Sequence, residues 1–215
     1  MAYYGLGLLF LRHGDLPRAL PLLERAVGLC QEADLPAFFP MMAAPLGEAY
    51  TLDGRIADAV PLLTQAMEQA MTMKRVDHQA PCGLSLGEAQ LLTGRLEEAQ
   101  ALAERTLTIA RQYQERGHQG YALRLLGEIA ARYDPPEVEQ AAIHYHQALA
   151  LADELGMRPL QAHCHRGLGT LYGRVGRAQQ ARAALGTAIA LYRAMAMPFW
   201  LPQTETALAQ TGARV

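Results

Sequence analysis

The segment LGEAYTLDGRIADA, Leu46 to Ala59, is written again 40 residues later as LGEAQLLTGRLEEA, Leu86 to Ala99. A unit of that length cannot close a core of its own. It must be one supersecondary element that buries its apolar face against copies of itself. The anchor is Leu-Gly, a second Gly seven residues on, and an Ala five residues after that. It recurs as Gly7/Gly14/Ala19, Gly47/Gly54/Ala59, Gly87/Gly94/Ala99 and Gly169/Gly176/Ala181, with Gly127/Ala141 as a variant two residues longer. Successive alanines stand 40, 40, 42 and 40 residues apart, a period too regular for a chance match.

The residues inside the unit specify helix, turn, helix. Ala43, Leu46, Gly47 and Tyr50 share one face at helical spacing, and Ile56, Ala59, Val60, Leu63, Ala66 and Met67 share another. HGD, DGR, TGR and VGR break the two helices, because Gly takes the left-handed conformation of a helix end without strain. The longer unit uses DPP instead, where Pro135 or Pro136 is expected in the first turn of the next helix. Gly47 in mid-helix costs roughly 1 kcal/mol relative to Ala, so the pattern predicts a close approach, with Gly47 facing Ala59. Pro45 is expected to kink its helix locally.

Leu, Gly and Tyr on the first helix, then Ala, a large apolar residue and Ala on the second, resemble the tetratricopeptide repeat. The residues are Leu46, Gly47, Tyr50, Ala59, Leu63 and Ala66 in repeat two, and Leu168, Gly169, Tyr172, Ala181, Leu185 and Ala188 in repeat five. Phe10 takes the Tyr position in repeat one, and Gln90 and Ala130 depart from it. The family's early Trp and closing Pro are absent, and the unit exceeds the usual length of roughly 34 residues. These departures match a long-helix bacterial variety. The C-terminal stretch AIALYRAMAMPFWLPQTETALAQ is similar to the end of bacterial signalling proteins that join a nucleotide-cyclase domain, an AAA-type ATPase module and a repeat array. The chain has no GxxxxGK[ST] phosphate loop.

The resemblance implies an all-α, right-handed superhelical solenoid forming one domain over 1–215. Helix pairs are expected at 2–33, 36–74, 76–115, 118–155 and 158–195, with a capping helix at 199–211. Phe199 and Trp200 are expected to pack that cap, and Thr204, Glu205, Thr206 and Gln210 to form its polar side. At the other end AYYGLGLLFL is apolar almost all round, as a buried helix would be. The corresponding expectation is that this end either lost an upstream repeat or docks or self-associates through this helix.

Tetratricopeptide arrays bind along a groove lined by first helices. Carried over by position, that groove takes Met41, Ala44, Glu48, Thr51 and Leu52 from repeat two, and Pro81, Leu84, Glu88, Leu91 and Leu92 from repeat three. Repeat four contributes Tyr121, Arg124, Glu128, Ala131 and Arg132, and repeat five His163, Arg166, Thr170, Gly173 and Arg174. Glu48, Glu88 and Glu128 share one repeat position, an acidic ladder. Arg124, Arg132, Arg166 and Arg174 gather toward the C-terminal half, so the groove would orient an extended peptide or helix. The alternative is that each Glu pairs locally with an Arg or a backbone group. The Lys and Asn residues with which some members clamp a terminal carboxylate are absent.

Other reactive side chains have structural explanations. His144/His146 and His163/His165 are spaced i, i+2, about 200° apart on a helix, so neither pair chelates from one face. His144 takes the position of Leu22, Leu62 and Leu102, read as core. Cys82 and Cys164 share a position with Met42 and Ala122 and read as small buried residues. Met41, Met42, Met67, Met71 and Met73 read chiefly as core filling. Glu97, Glu98, Glu137 and Glu139 fall at second-helix starts, where carboxylates favour the helix dipole. No cofactor, metal site or catalytic residue is expected.

Composition narrows the partner. A net charge of −2 lacks the basic excess that nucleic acid or an anionic membrane selects. Three distant cysteines without a CxxC pair suit a reducing compartment, and the N-terminal apolar run is too short to span a bilayer. The sequence therefore predicts a cytoplasmic, non-enzymatic module that binds a protein or peptide, with small-molecule or peptide-signal sensing for an attached ATPase or cyclase as the alternative.

Overall fold

A computed structural model describes residues 1–211; residues 212–215, the end of the expected array, lie outside the described part. The described residues form eleven α-helices and two short 3-10 turns, with no strand. They divide into two compact units. Unit 1, Met1–Gln114, holds α1 (Ala2–His13), α2 (Leu16–Glu32), α3 (Phe39–Leu52), α4 (Ile56–Thr72), α5 (Val76–Leu92) and α6 (Leu96–Gln112). Unit 2, from Glu115 onward, holds α7 (Arg116–Arg132), α8 (Val138–Glu154), α9 (Arg158–Arg174), α10 (Ala178–Ala194) and α11 (Leu201–Gln210). No helix among the described residues is long and apolar enough to cross a membrane.

Two left-handed residues punctuate the repeat. Gly14, Gly54, Gly94 and Gly176 end the first helices with φ of 76°, 81°, 78° and 76°. A second set, at the end of the second helices, is mostly not glycine: Asp34, Lys74, Gln114 and Ala196 have φ of 50°, 54°, 57° and 51°, and only Gly156 relieves it. Composition hides this second turn, but its positions repeat with the same period. The prolines of the longer unit precede α8 instead of opening it, because the helix starts at Val138 with Glu137 at its cap. Helix α3 continues through Pro45 from Phe39 to Leu52. Glu97 and Glu98 lie in the first turn of α6 and Glu139 in that of α8, as the dipole favours.

The mid-helix glycines face large side chains, not the alanines expected. A Cβ on Gly47 would strike the Leu63 side chain, and one on Gly169 would lie 2.5 Å from Leu185 Cγ. Gly7 meets Leu23 at 2.8 Å and Gly127 meets the Tyr145 ring at 3.1 Å. The second helix inserts a bulky side chain at its midpoint, and the glycine opposite provides the space. Ala59 instead joins Leu63, Leu86 and Ala89 in a buried cluster that ties α4 to the following helix α5.

Repeat three breaks this pattern. Ala103 replaces the large residue, and Thr106 stands where Ala26, Ala66, Ala148 and Ala188 stand elsewhere. Gly83, one turn before the usual glycine, sits against the Thr106 hydroxyl, which is buried without a hydrogen-bond partner.

Candidate functional site

The residues carried onto the groove by sequence occupy the first helices of both units. In unit 1, Glu48 on α3 lies 3.8 Å from Arg12 on α1, and Glu88 is half-buried on α5. The neighbouring positions are apolar: Ala44, Leu84 and Leu91 are buried. In unit 2, Glu128 accepts a hydrogen bond from Arg124 at 2.5 Å, one turn earlier on α7. Glu48 and Glu128 thus each stand beside an arginine, the local-pair arrangement.

Unit 2 brings Arg124, Arg166 and His163 around the Tyr192 phenol. Arg124 is only 7% exposed, and its guanidinium stands 6.0 Å from the Tyr121 ring. From α9, His163 Nδ1 shares a 2.7 Å hydrogen bond with the hydroxyl of Tyr192 on α10. Trp200, at the entry to α11, closes the aromatic group. Its ring lies edge-on to His163 at 5.0 Å, stacks on Tyr192 at 5.9 Å, and meets the Phe199 ring edge-on at 5.3 Å. Arg166 on α9 donates to the Gln203 side chain at 3.3 Å, bridging to α11. Arg174 donates to the Ala131 carbonyl and so joins α9 to α7. Arg132 is exposed on α7.

Electrostatics follow burial. Desolvation pushes the Tyr192 phenol up, against the opposing pull of Arg166 and Arg124. It remains a neutral hydroxyl, able to share a proton with His163. Cys164 is pushed up to about 12 by burial, as is Cys82 in unit 1. Neither thiol is a nucleophile near neutral pH. Among the described residues no His/Cys/Asp/Glu group is arranged to hold a metal. His144 is half-buried, as are Leu22, Leu62 and Leu102 at the same repeat position, and bonds Gln140 at 2.8 Å. The arrangement offers half-exposed donors, Arg166 and His163, fixed by buried aromatic rings, which suits holding an anionic group.

Tyr192, Trp200 and Gln203 are members that groove positions alone did not name. The signal for Tyr192 is in its column of the repeat: Cys30, Ala70, Ala110 and Ala152 are small, and Tyr192 is not. The cap also differs from expectation. Thr204 is buried at 1% exposure and donates to the Trp200 carbonyl, while Glu205 pairs with Arg193 at 2.7 Å. The threonine packs inward because its hydroxyl can return to the backbone of its own helix.

Unit 1 has a cleft of about 440 Å³ between α2 and α4, floored by Leu46 and Tyr50 of α3. Glu24, Arg55, Asp58 and the Tyr50 hydroxyl form a closed hydrogen-bonded network there, with contacts of 2.8–3.1 Å.

No family model matches the chain, and no curated protein matches it. Solved structures do. A Rap protein in complex with competence and sporulation factor superposes with a TM-score of 0.79 at 15% identity, covering 97% of this chain and 61% of that one. A signal-transduction ATPase with a tetratricopeptide repeat sensor, from Pyrococcus horikoshii, gives 0.67 at 17% identity, covering 98% of this chain. The fold is of the tetratricopeptide type. Aspartyl phosphate phosphatase F of Bacillus subtilis gives 0.69 at 13% identity, over 95% of this chain and 53% of that one. The chain thus spans less than two thirds of the Rap structure and 31% of the ATPase.

Proposed function

We propose that the chain is a protein-interaction scaffold or sensor module that holds a peptide, a helix or a neighbouring domain on the inner face of its first helices. Unit 2 provides the principal contacts. The observation that carries this reading is that Arg166 and Arg124 act electrostatically on the Tyr192 phenol, which bonds His163 and stacks on Trp200. Half-exposed Arg166 and His163, with exposed Arg132, present the polar surface, while Tyr192, Trp200 and the Glu128-paired Arg124 are buried behind them and fix their positions. An acidic segment fits it best. The role is binding without catalysis, in bacterial signalling within the cytoplasm. The Rap complex with its factor and the sensor placement in the ATPase support this reading.

A selection from a random peptide library on the immobilised chain tests it. Acidic peptides are expected to be enriched on the wild type and lost on an Arg132→Glu/Arg166→Glu variant that melts normally. Retention of the same peptides by that variant would remove the basic face from the mechanism. A second reading is sensing of a small molecule or peptide signal for an attached ATPase or cyclase, supported by the likeness to the ATPase with a tetratricopeptide repeat sensor.

A further inference from the structure

Helix α1 displays a face that the same repeat positions bury in other first helices. On α5 the positions are Cys82, Ser85, Leu86 and Ala89, all buried. Leu86 and Ala89 there pack against Ala59 and Leu63 of α4, the second helix of the preceding repeat. On α3, Leu46 and Ala49 are 3% and 0% exposed, and α2 packs on that helix. On α9, Leu168 and Leu171 are 3% and 1% exposed, and α8 packs there. The same positions on α1 hold Ala2, Gly5, Leu6 and Leu9. All four are exposed, Leu6 at 50% and Leu9 at 53%.

Glycine identifies more closely what this face would take. The α1 row of small residue, Gly, Leu, Leu is repeated on α9 as Cys164, Gly167, Leu168 and Leu171. A Cβ on Gly167 would strike the Tyr145 ring, so this glycine is the seat of an aromatic side chain from α8. At Gly5 a Cβ would meet nothing within 4 Å. Glycine weakens an exposed helix, and no contact among the described residues accounts for it here. A ring seated on Gly5, as Tyr145 is on Gly167, does.

We infer that α1 is the docking face for an amphipathic helix of a partner, which places an aromatic ring on Gly5 and small residues along Leu6 and Leu9. The interface continues the one already built between α8 and α9. Its chemistry is that of α8, whose buried stripe is Tyr145, Ala148 and Ala152. The apolar row sets the affinity and the glycine seat selects an aromatic residue over an aliphatic one. This inference stands apart from the groove of unit 2, which it does not use.

The test uses the full chain and a labelled synthetic peptide of α8, residues 138–154, followed by fluorescence anisotropy. Saturable binding is expected, weakened at least about tenfold by Tyr145→Ala in the peptide. Gly5→Leu in the chain fills the seat without a clash and is expected to weaken binding by the same factor with unchanged circular dichroism. Arg166→Glu in the chain is expected to leave it unchanged, which separates this face from the groove. Absence of saturation at about 100 µM chain, or equal binding by Gly5→Leu, overturns the inference. A concentration-dependent dimer in light scattering that Leu9→Glu dissolves also overturns it, assigning the face to a second copy of the chain.

Discussion

Units 1 and 2 place different side chains on the same positions of the repeat. Where unit 1 has Met41 and Pro81, unit 2 has Tyr121 and His163; where unit 1 has Ala44 and Leu84, unit 2 has Arg124 and Arg166. Leu52 and Leu92 likewise give way to Arg132 and Arg174. Behind this face the columns change far less. Ala59 and Ala99 correspond to Ala141 and Ala181, all fully buried. The contrast teaches that the alanine column which meets the next repeat is fixed, while the positions carrying Arg124, Arg166 and their counterparts diverge. A close helix contact admits only a small residue, and where a buried column does change volume, as from Ala103 to Tyr145, the opposing glycine shifts with it.

The largest effect that would sharpen this comparison lies in the bulky midpoint column. Tyr145 of unit 2 is 1% exposed and seated against both Gly127 and Gly167, whereas unit 1 has Leu63 or Ala103 there. Tyr145→Ala is expected to cost about 3–5 kcal/mol in urea unfolding, more than Leu63→Ala in unit 1. An equal or smaller cost for Tyr145→Ala would show that unit 2 does not depend on its double seat.

An intermediate effect tests where the units should behave alike. Cys82 and Cys164 share one column, one in each unit, and both thiols are pushed up to about 12 by burial. Raised folded values mean that the stabilising protonated state is fully present below the unfolded thiol value of 9.0 and is lost as pH rises toward 12. By pH 10 each thiol is expected to remove about 1 kcal/mol of stability. Replacing either by Ala should flatten the alkaline limb of a pH–stability profile by a similar amount. A flattening confined to one of them would break the equivalence of the two cores.

The smallest effect concerns repeat three, where unit 1 departs from its own pattern. Thr106→Ala restores the column residue and removes a buried hydroxyl that has no partner. A gain of about 0.5–1 kcal/mol is expected, the relief of desolvation exceeding the lost methyl contact. Thermal unfolding that shows a loss would mean that Thr106 is needed to fill the space beside Gly83.

By itself the sequence determined the period, the helix–turn–helix unit, the left-handed glycines and the helix ranges to within a few residues, because these are local consequences of spacing and backbone preference. Leu46, Gly54 and Ala59 announce their roles to any reader of the pattern. Only the tertiary structure decided that Gly47 faces Leu63 and not Ala59, since that choice depends on how two helices cross. It also decided that Arg12 reaches Glu48, that Thr204 turns inward, and that His163 meets Tyr192 and Trp200. Apart from the Thr204 hydroxyl, which returns four residues along its own helix, those partners lie on separate helices, 29 residues apart for His163 and Tyr192, and spacing along one helix carries no information about them.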